Sequence, residues 1–192
     1  MNIQVDLTHA GISDASIQQE RSTAQEELEQ LWSGTLDFTG WVRQPMDFGE
    51  TKVKEIQTMA EEIRQCSDFF LVLGVGGSFM GAKAVIDMLE RSGQSEKGQH
   101  TKVLFAGYNF SGRYLREMMD EIRDGEVSLC VISKSGTTTE TLSAYGIFKE
   151  MMLERYGREE TAARTWVITE HRSNYLRSEE HTSELQSRSA IS

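Results

Sequence analysis

Phe69–Leu89 reads FFLVLGVGGSFMGAKAVIDML. An apolar run, Phe69–Leu73, leads directly into Gly74-Val75-Gly76-Gly77-Ser78. A stretch from Met80 to about Arg91 follows, with Ala82, Val85, Ile86 and Leu89 at the spacing of one helix face. The first run is too short for a helix, and its apolar residues are continuous rather than alternating. That is the signature of a strand covered on both sides. Strand, glycine turn and helix together open a βαβ unit.

The same pattern is repeated downstream. Lys102–Ala106 predicts a second strand, and a helix begins at Ser111 with Leu115, Met118, Met119 and Ile122 on its apolar side. Val127–Ile132 predicts a third strand, Thr138 to about Tyr156 a helix with Leu142, Tyr145, Phe148 and Met152 inward, and Thr165–Thr169 a fourth strand. Alternating strands and helices give an α/β fold with a parallel sheet and helices on both faces. Ligands of such sheets bind outside the carboxyl ends of the strands.

Before the sheet, Ser16–Leu31 predicts a helix with Ile17, Ala24, Leu28 and Leu31 on one face and a Ser16/Gln19 capping box. Leu36–Phe48, with its aromatics and Pro45, predicts a loop. Glu50–Gln65 predicts a second N-terminal helix with Val53, Ile56, Ala60 and Ile63 on its stripe. The expected organisation is a helical and loop segment over 1–48, the α/β domain over 49–169, and a tail over 170–192. The tail has no apolar period and offers no further strand. Its Arg177–Ser187, RSEEHTSELQS, resembles the translation of a short-read sequencing adapter, so native sequence is expected to end near Leu176.

The 192 residues carry a net charge of −10, with both signs interspersed. Nucleic-acid binding needs a cationic face, so that class is excluded, as is adsorption to anionic membranes. The N-terminus lacks the cationic and apolar regions of a signal peptide. Phe69–Leu73 is far too short to span a bilayer. A cytoplasmic protein is expected. Cys66 and Cys130 show no metal-ligand spacing, and Cys130 reads as a small buried hydrophobe.

Two turns carry chemistry. Glycines in Gly74–Ser78 let the backbone approach a ligand, with helix-start N–H groups facing an anion. Phe79, Ala82 and Met80 exclude a dinucleotide fingerprint, a Walker loop and a nucleophile elbow, each by one residue. The second turn is Ser133-Lys134-Ser135-Gly136-Thr137-Thr138-Thr139-Glu140-Thr141, at the start of the last helix. Hydroxyls and N–H groups gathered at a helix N-terminus suit a phosphate and need no metal. Oriented dipoles also let an acidic protein hold a dianion. A Thr137/Glu140 capping box would account for two of these residues in structural terms alone.

Leu73–Ala84 (LGVGGSFMGAKA) and Val131–Thr141 (VISKSGTTTET) resemble the bacterial-type glucose-6-phosphate isomerase family, as do Ala106–Leu115 (AGYNFSGRYL) and Asp37–Val42 (DFTGWV). The resemblance covers roughly Ile12 to Thr169. It implies a sugar isomerase (SIS) fold, a three-layer αβα sandwich with a parallel sheet, here preceded by two N-terminal helices. It implies interconversion of glucose 6-phosphate and fructose 6-phosphate through an enediolate, in glycolysis and gluconeogenesis, with no cofactor and no metal. Carried over position by position, Ser133, Ser135 and Thr138 with the backbone around Lys134 hold the substrate phosphate. Gly77 and Ser78 approach from the other turn, and Glu140 supports a catalytic histidine. The intact family is homodimeric. The family's glutamate base, ring-opening histidine, arginine and lysine have no counterpart here, and His9, His100, His171 and His181 lie outside both turns. The chain is therefore expected to be a fragment that binds phosphate but lacks full catalysis. The alternative is a non-catalytic SIS sensor of a sugar phosphate, disfavoured by an acidic N-terminal segment without a basic recognition helix.

Overall fold

The computed structural model describes residues 4–37, 39–89 and 101–169, with the backbone of 188–189. The chain divides into two compact units, Met1–Gln57 and Thr58–Ser192.

In the first unit, α1 (Asp14–Ser33) is capped by Ser13, whose side chain accepts from the Ser16 N–H at 3.2 Å. The cap lies three residues before the expected box: Ser13 holds the extended backbone a cap needs, which leaves Ser16 inside the first turn. Gly34, at φ +70°, ends the helix. No residue of α1 is buried, and Leu28 on the expected core-facing stripe is 53 % exposed. The segment expected as a loop contains α2 (Gly40–Asp47); two turns are too short to print a period on the sequence. Helix α3 (Glu50–Cys66) matches expectation and runs across the division between the units.

The second unit is built on β1 (Phe69–Leu73), β2 (Lys102–Ala106), β3 (Val127–Ile132) and β4 (Thr165–Ile168). Between them run α4 (Met80–Leu89), α5 (Gly112–Glu121) and α6 (Thr139–Ala163). The order is β2-β1-β3-β4, every pair parallel, with Leu73 opposite both Ala106 and Val131. A two-residue strand, β5 (Arg188–Ser189), pairs in parallel with β4, where the sequence leads one to expect none. The rest of 170–192 lies outside the described residues, as do His100 and the expected helix end near Arg91.

Successive side chains of a strand point to opposite faces. Leu71, Leu73, Leu129 and Val131 therefore pack with Leu115, Met118, Phe148 and Met152 of α5 and α6. Val72, Cys130 and Trp166 pack on the other side with Ile63 of α3 and Ile86 of α4. This is the three-layer αβα sandwich of the SIS fold, and burial on both faces explains the unbroken apolar strands. Burial alone pushes the Cys130 thiol up to about 12, so it behaves as a small hydrophobe. On α4 only Ile86 of the expected stripe packs; Val85 and Leu89 are 50 % and 70 % exposed. Apolar residues surround this helix, so the sequence could not say which line meets the sheet.

Gly157, at φ +72° and ψ −178°, interrupts α6 just past the expected end at Tyr156, and a further turn continues to Ala163. Only glycine occupies that backbone region readily. Arg164 follows, its side chain 12 % exposed. Its guanidinium donates to the Cys66 carbonyl at 2.8 Å and pairs with Glu126 at 3.0 Å and Glu160 at 2.6 Å. It also covers the Tyr156 ring at 4.6 Å, and the Tyr156 hydroxyl accepts from the Val127 N–H. One cation thus ties the ends of α3 and α6 to the start of β3. Arg164→Leu is expected to lower unfolding free energy by about 2 kcal/mol, the cost of leaving several polar partners unmatched. A urea midpoint that falls with unchanged slope is the readout.

Candidate functional site

The strand order positions the site. The chain leaves β1 toward β2 and returns past β1 to β3, then continues outward to β4. Helix α4, after β1, lies on one face and α6, after β3, on the other. The crevice between the carboxyl ends of β1 and β3 is therefore the topological switch point, where open α/β sheets bind ligands. The two turns singled out from sequence are the two that border it.

After β1, Gly76–Ser78 forms one turn of 3₁₀ helix. The Ser78 N–H donates to the Val75 carbonyl at 3.1 Å and the Phe79 N–H to the Gly76 carbonyl at 3.2 Å. Two amides expected to face an anion are thus already used inside the turn. Gly77 is exposed and Ser78 half-buried at the rim. Gly74 is where the turn meets its neighbours: a Cβ there would stand 2.9 Å from the Ser78 Cβ and 3.4 Å from the Ile132 carbonyl oxygen. The absence of a side chain is what lets the two turns touch.

After β3, Ser133 is buried and anchored by its N–H to the Ile168 carbonyl at 3.1 Å. Its hydroxyl lies 3.0 Å from that of Thr138 and accepts from the Gly136 N–H at 3.1 Å. Gly136 makes the bend at φ +69°. The exposed Ser135 hydroxyl accepts from both the N–H and the hydroxyl of Thr137, at 3.2 and 2.9 Å, which leaves its proton to point outward. The Lys134 side chain is exposed, while its carbonyl accepts from the Thr169 hydroxyl at 3.3 Å.

Thr138 is the N-cap of α6, and no side chain caps this helix. The expected Thr137/Glu140 capping box is not formed: Thr138, not Thr137, is the N-cap, and the Thr137 hydroxyl donates to Ser135 instead. The first turn of α6 thus keeps N–H groups without a side-chain acceptor, and they carry the positive end of the helix dipole. Ser133, Ser135 and Thr138 stand together there; Glu140, half-buried, is in that first turn.

Sequence reasoning does not single out a third component. Gly107, at φ +75°, ends β2, and a Cβ on it would lie 3.4 Å from both Thr141 Cα and Ala144 Cβ and 3.5 Å from the Gly74 nitrogen. The β2 turn is therefore wedged between the other two. Thr141, fully buried beside it, has a hydroxyl without a hydrogen-bond partner. The available signal for Gly107 is its position immediately after a strand, like Gly74. Among the described residues no group of three or more His, Cys, Asp or Glu side chains could hold a metal ion, and no helix is long and apolar enough to cross a membrane.

Fold and site together define an SIS-type α/β protein with a hydroxyl-lined helix N-terminus at its switch point. A family model described as phosphoglucose isomerase matches residues 51–177. The chain belongs to the phosphoglucose isomerase family. A glucose-6-phosphate isomerase of Alkaliphilus metalliredigens is 38 % identical over 159 residues, covering 81 % of this chain and 35 % of the relative. The chain thus spans about a third of the length of the curated relatives it matches. Among solved structures, a hypothetical protein from Thermus thermophilus superposes with a TM-score of 0.72 at 20 % identity, over 92 % of this chain and 40 % of that one. A glucose-6-phosphate isomerase from Chlamydia trachomatis superposes with a TM-score of 0.54 at 19 % identity, over 72 % and 26 %. At these identities the superpositions establish the shared fold.

Two substitutions test the packing. Thr141→Val removes an unpartnered buried hydroxyl and is expected to leave stability unchanged or raise it by up to about 1 kcal/mol, read from denaturant unfolding. Gly74→Ala forces a methyl against Ser78 and is expected to lower stability by about 1–2 kcal/mol. It should also shift the amide resonances of Gly76–Phe79 more than those around Leu115.

Proposed function

We propose that this chain binds the phosphate of glucose 6-phosphate or fructose 6-phosphate, the substrates of aldose–ketose isomerisation. In this reading the dianion rests on the hydroxyls of Ser133, Ser135 and Thr138, the backbone around Lys134 and the first-turn N–H groups of α6. Gly77 and Ser78 approach the sugar from across the crevice. One observation carries the reading: the helix N-terminus at the switch point has no side-chain cap, yet its loop is lined with hydroxyls. A protein of net charge −10 repels a dianion at long range, and local dipoles and one exposed lysine offset that.

Isomerisation itself moves a proton between C2 and C1 through an enediolate and requires a base within reach of the C–H bond. Glu140 is the carboxylate of the hydroxyl loop. Set in the first turn of α6, it is assigned the role of supporting an acid/base group rather than abstracting the proton. Phosphate capture supplies affinity and orientation but no proton transfer. The 192-residue chain is proposed to bind without turning over.

Calorimetric titration and a coupled turnover assay on the purified chain test this. Saturable binding of inorganic phosphate and of fructose 6-phosphate is expected, with turnover at the level of the blank. Ser135→Ala is expected to weaken both affinities by about tenfold, the loss of one hydrogen bond to a charged group. Absence of binding to either ligand refutes the site; turnover well above blank refutes the reading that this chain binds without catalysing.

A further inference from the structure

The glycine turn after β1 is held from the side of β2 by a series of aromatic rings. Phe79 closes the Gly76–Ser78 turn, with its N–H on the Gly76 carbonyl and its own carbonyl accepting from the Lys83 N–H at 2.8 Å. The backbone of this residue is therefore locked at both ends, and its ring direction is coupled to the placement of Ser78, its immediate neighbour. That ring stacks on Tyr108, with centroids 4.9 Å apart and planes at 17°, and leans on Phe105 at 5.8 Å. Tyr108 in turn contacts Tyr114 at 5.6 Å. The Tyr114 hydroxyl donates to the Phe105 carbonyl at 2.7 Å, and burial, aided by Tyr108, raises its pKa far above the ordinary phenol range. That hydrogen bond fixes the far end of the series to the edge strand.

Tyr108 directly follows Gly107, and Gly107 abuts the first two turns of α6 through Thr141 and Ala144. Gly107 thus lies against α6 near its N-terminus and close to the Gly74 nitrogen, while Tyr108 stacks on Phe79, the residue that closes the other turn. Gly107 rests on the phosphate-side helix, and Tyr108 on the residue next to Ser78. Offset-stacked rings at this separation gain energy beyond their buried area, so the stack resists displacement of the turn. Tyr108 is 37 % exposed and contributes little to the buried core, which lets its role at the site be separated from a role in folding.

We propose that Tyr108 is a positioning residue that sets the distance between the Gly76–Ser78 turn and the Ser133–Thr138 loop, and so adjusts the fit of the sugar rather than of the phosphate. This rests on the sugar-phosphate reading above. Because the phosphate is assigned to the α6 loop alone, inorganic phosphate and fructose 6-phosphate should respond differently.

Calorimetric titration of the whole chain with each ligand, for the wild type, Tyr108→Ala and Tyr108→Phe, tests the proposal. Tyr108→Ala is expected to leave the affinity for inorganic phosphate unchanged and to weaken that for fructose 6-phosphate by about fivefold, within the range for loss of one aromatic pair. Tyr108→Phe keeps the stack and is expected to bind both ligands as the wild type does. Amide hydrogen exchange should accelerate at Ser78 and Phe79 in Tyr108→Ala and stay unchanged at Gly136, a readout that does not depend on any ligand. Equal weakening of both ligands, or unaltered exchange at Ser78 with unaltered sugar-phosphate affinity, overturns the positioning role. A loss in Tyr108→Phe as large as in Tyr108→Ala overturns the stacking mechanism. A wild-type chain that binds phosphate but gains nothing from the sugar overturns this inference and leaves the phosphate loop standing. One that binds neither removes both.

Discussion

The parallel pairing of Phe69–Leu73 with Val127–Val131 governs everything at the functional end of this domain. Because Leu73 and Val131 stand opposite each other, the turns that leave the two strands start at the same height, and their backbones meet at Gly74 and the Ile132 carbonyl. Both strands are buried on both faces, so their alignment is set by how the side chains pack against the helices on either side rather than by a polar/apolar alternation. The placement of a loop-built site is set by these two strands.

From that alignment the electrostatics follow. Helix α6 begins where β3 ends, so the positive end of its dipole is delivered to the crevice by the shortness of the connection. The hydroxyls of Ser133 and Thr138 bond to each other across the bend at Gly136, and Ser135 is held by Thr137, which keeps these side chains ordered without capping the helix. Ordering donors in advance lowers what an anion must give up when it binds. At the opposite end of the sheet Arg164 performs the structural counterpart, drawing three chain segments together around one largely sheltered cation.

Much of this was legible in the chain itself. The strands at Phe69–Leu73, Lys102–Ala106 and Val127–Ile132 and the helix starting at Ser111 can be read directly, because an apolar run bounded by glycine or a hydroxyl cap has few alternatives. Helix α2 was not legible: it is too brief to show a period. The line of α4 that meets the core was not legible either, since its apolar residues are spread over several faces, and α1 buries none of the apolar line it carries. The Thr137/Glu140 box is a case where two local patterns compete: the helix takes Thr138 as its N-cap, and the Thr137 hydroxyl turns back to Ser135 two residues earlier.

The amino-acid order alone determined that this is a parallel α/β domain with a glycine turn and a hydroxyl turn after two of its strands, because those features depend on neighbours within a few residues. It also carried the motifs that mark the phosphoglucose isomerase family. Only the tertiary structure decided that the two turns flank one switch point, that Gly107 is wedged between them, and that Tyr108 stacks on Phe79. These contacts join segments about thirty to sixty residues apart in the sequence, across a sheet whose strand order no local pattern encodes.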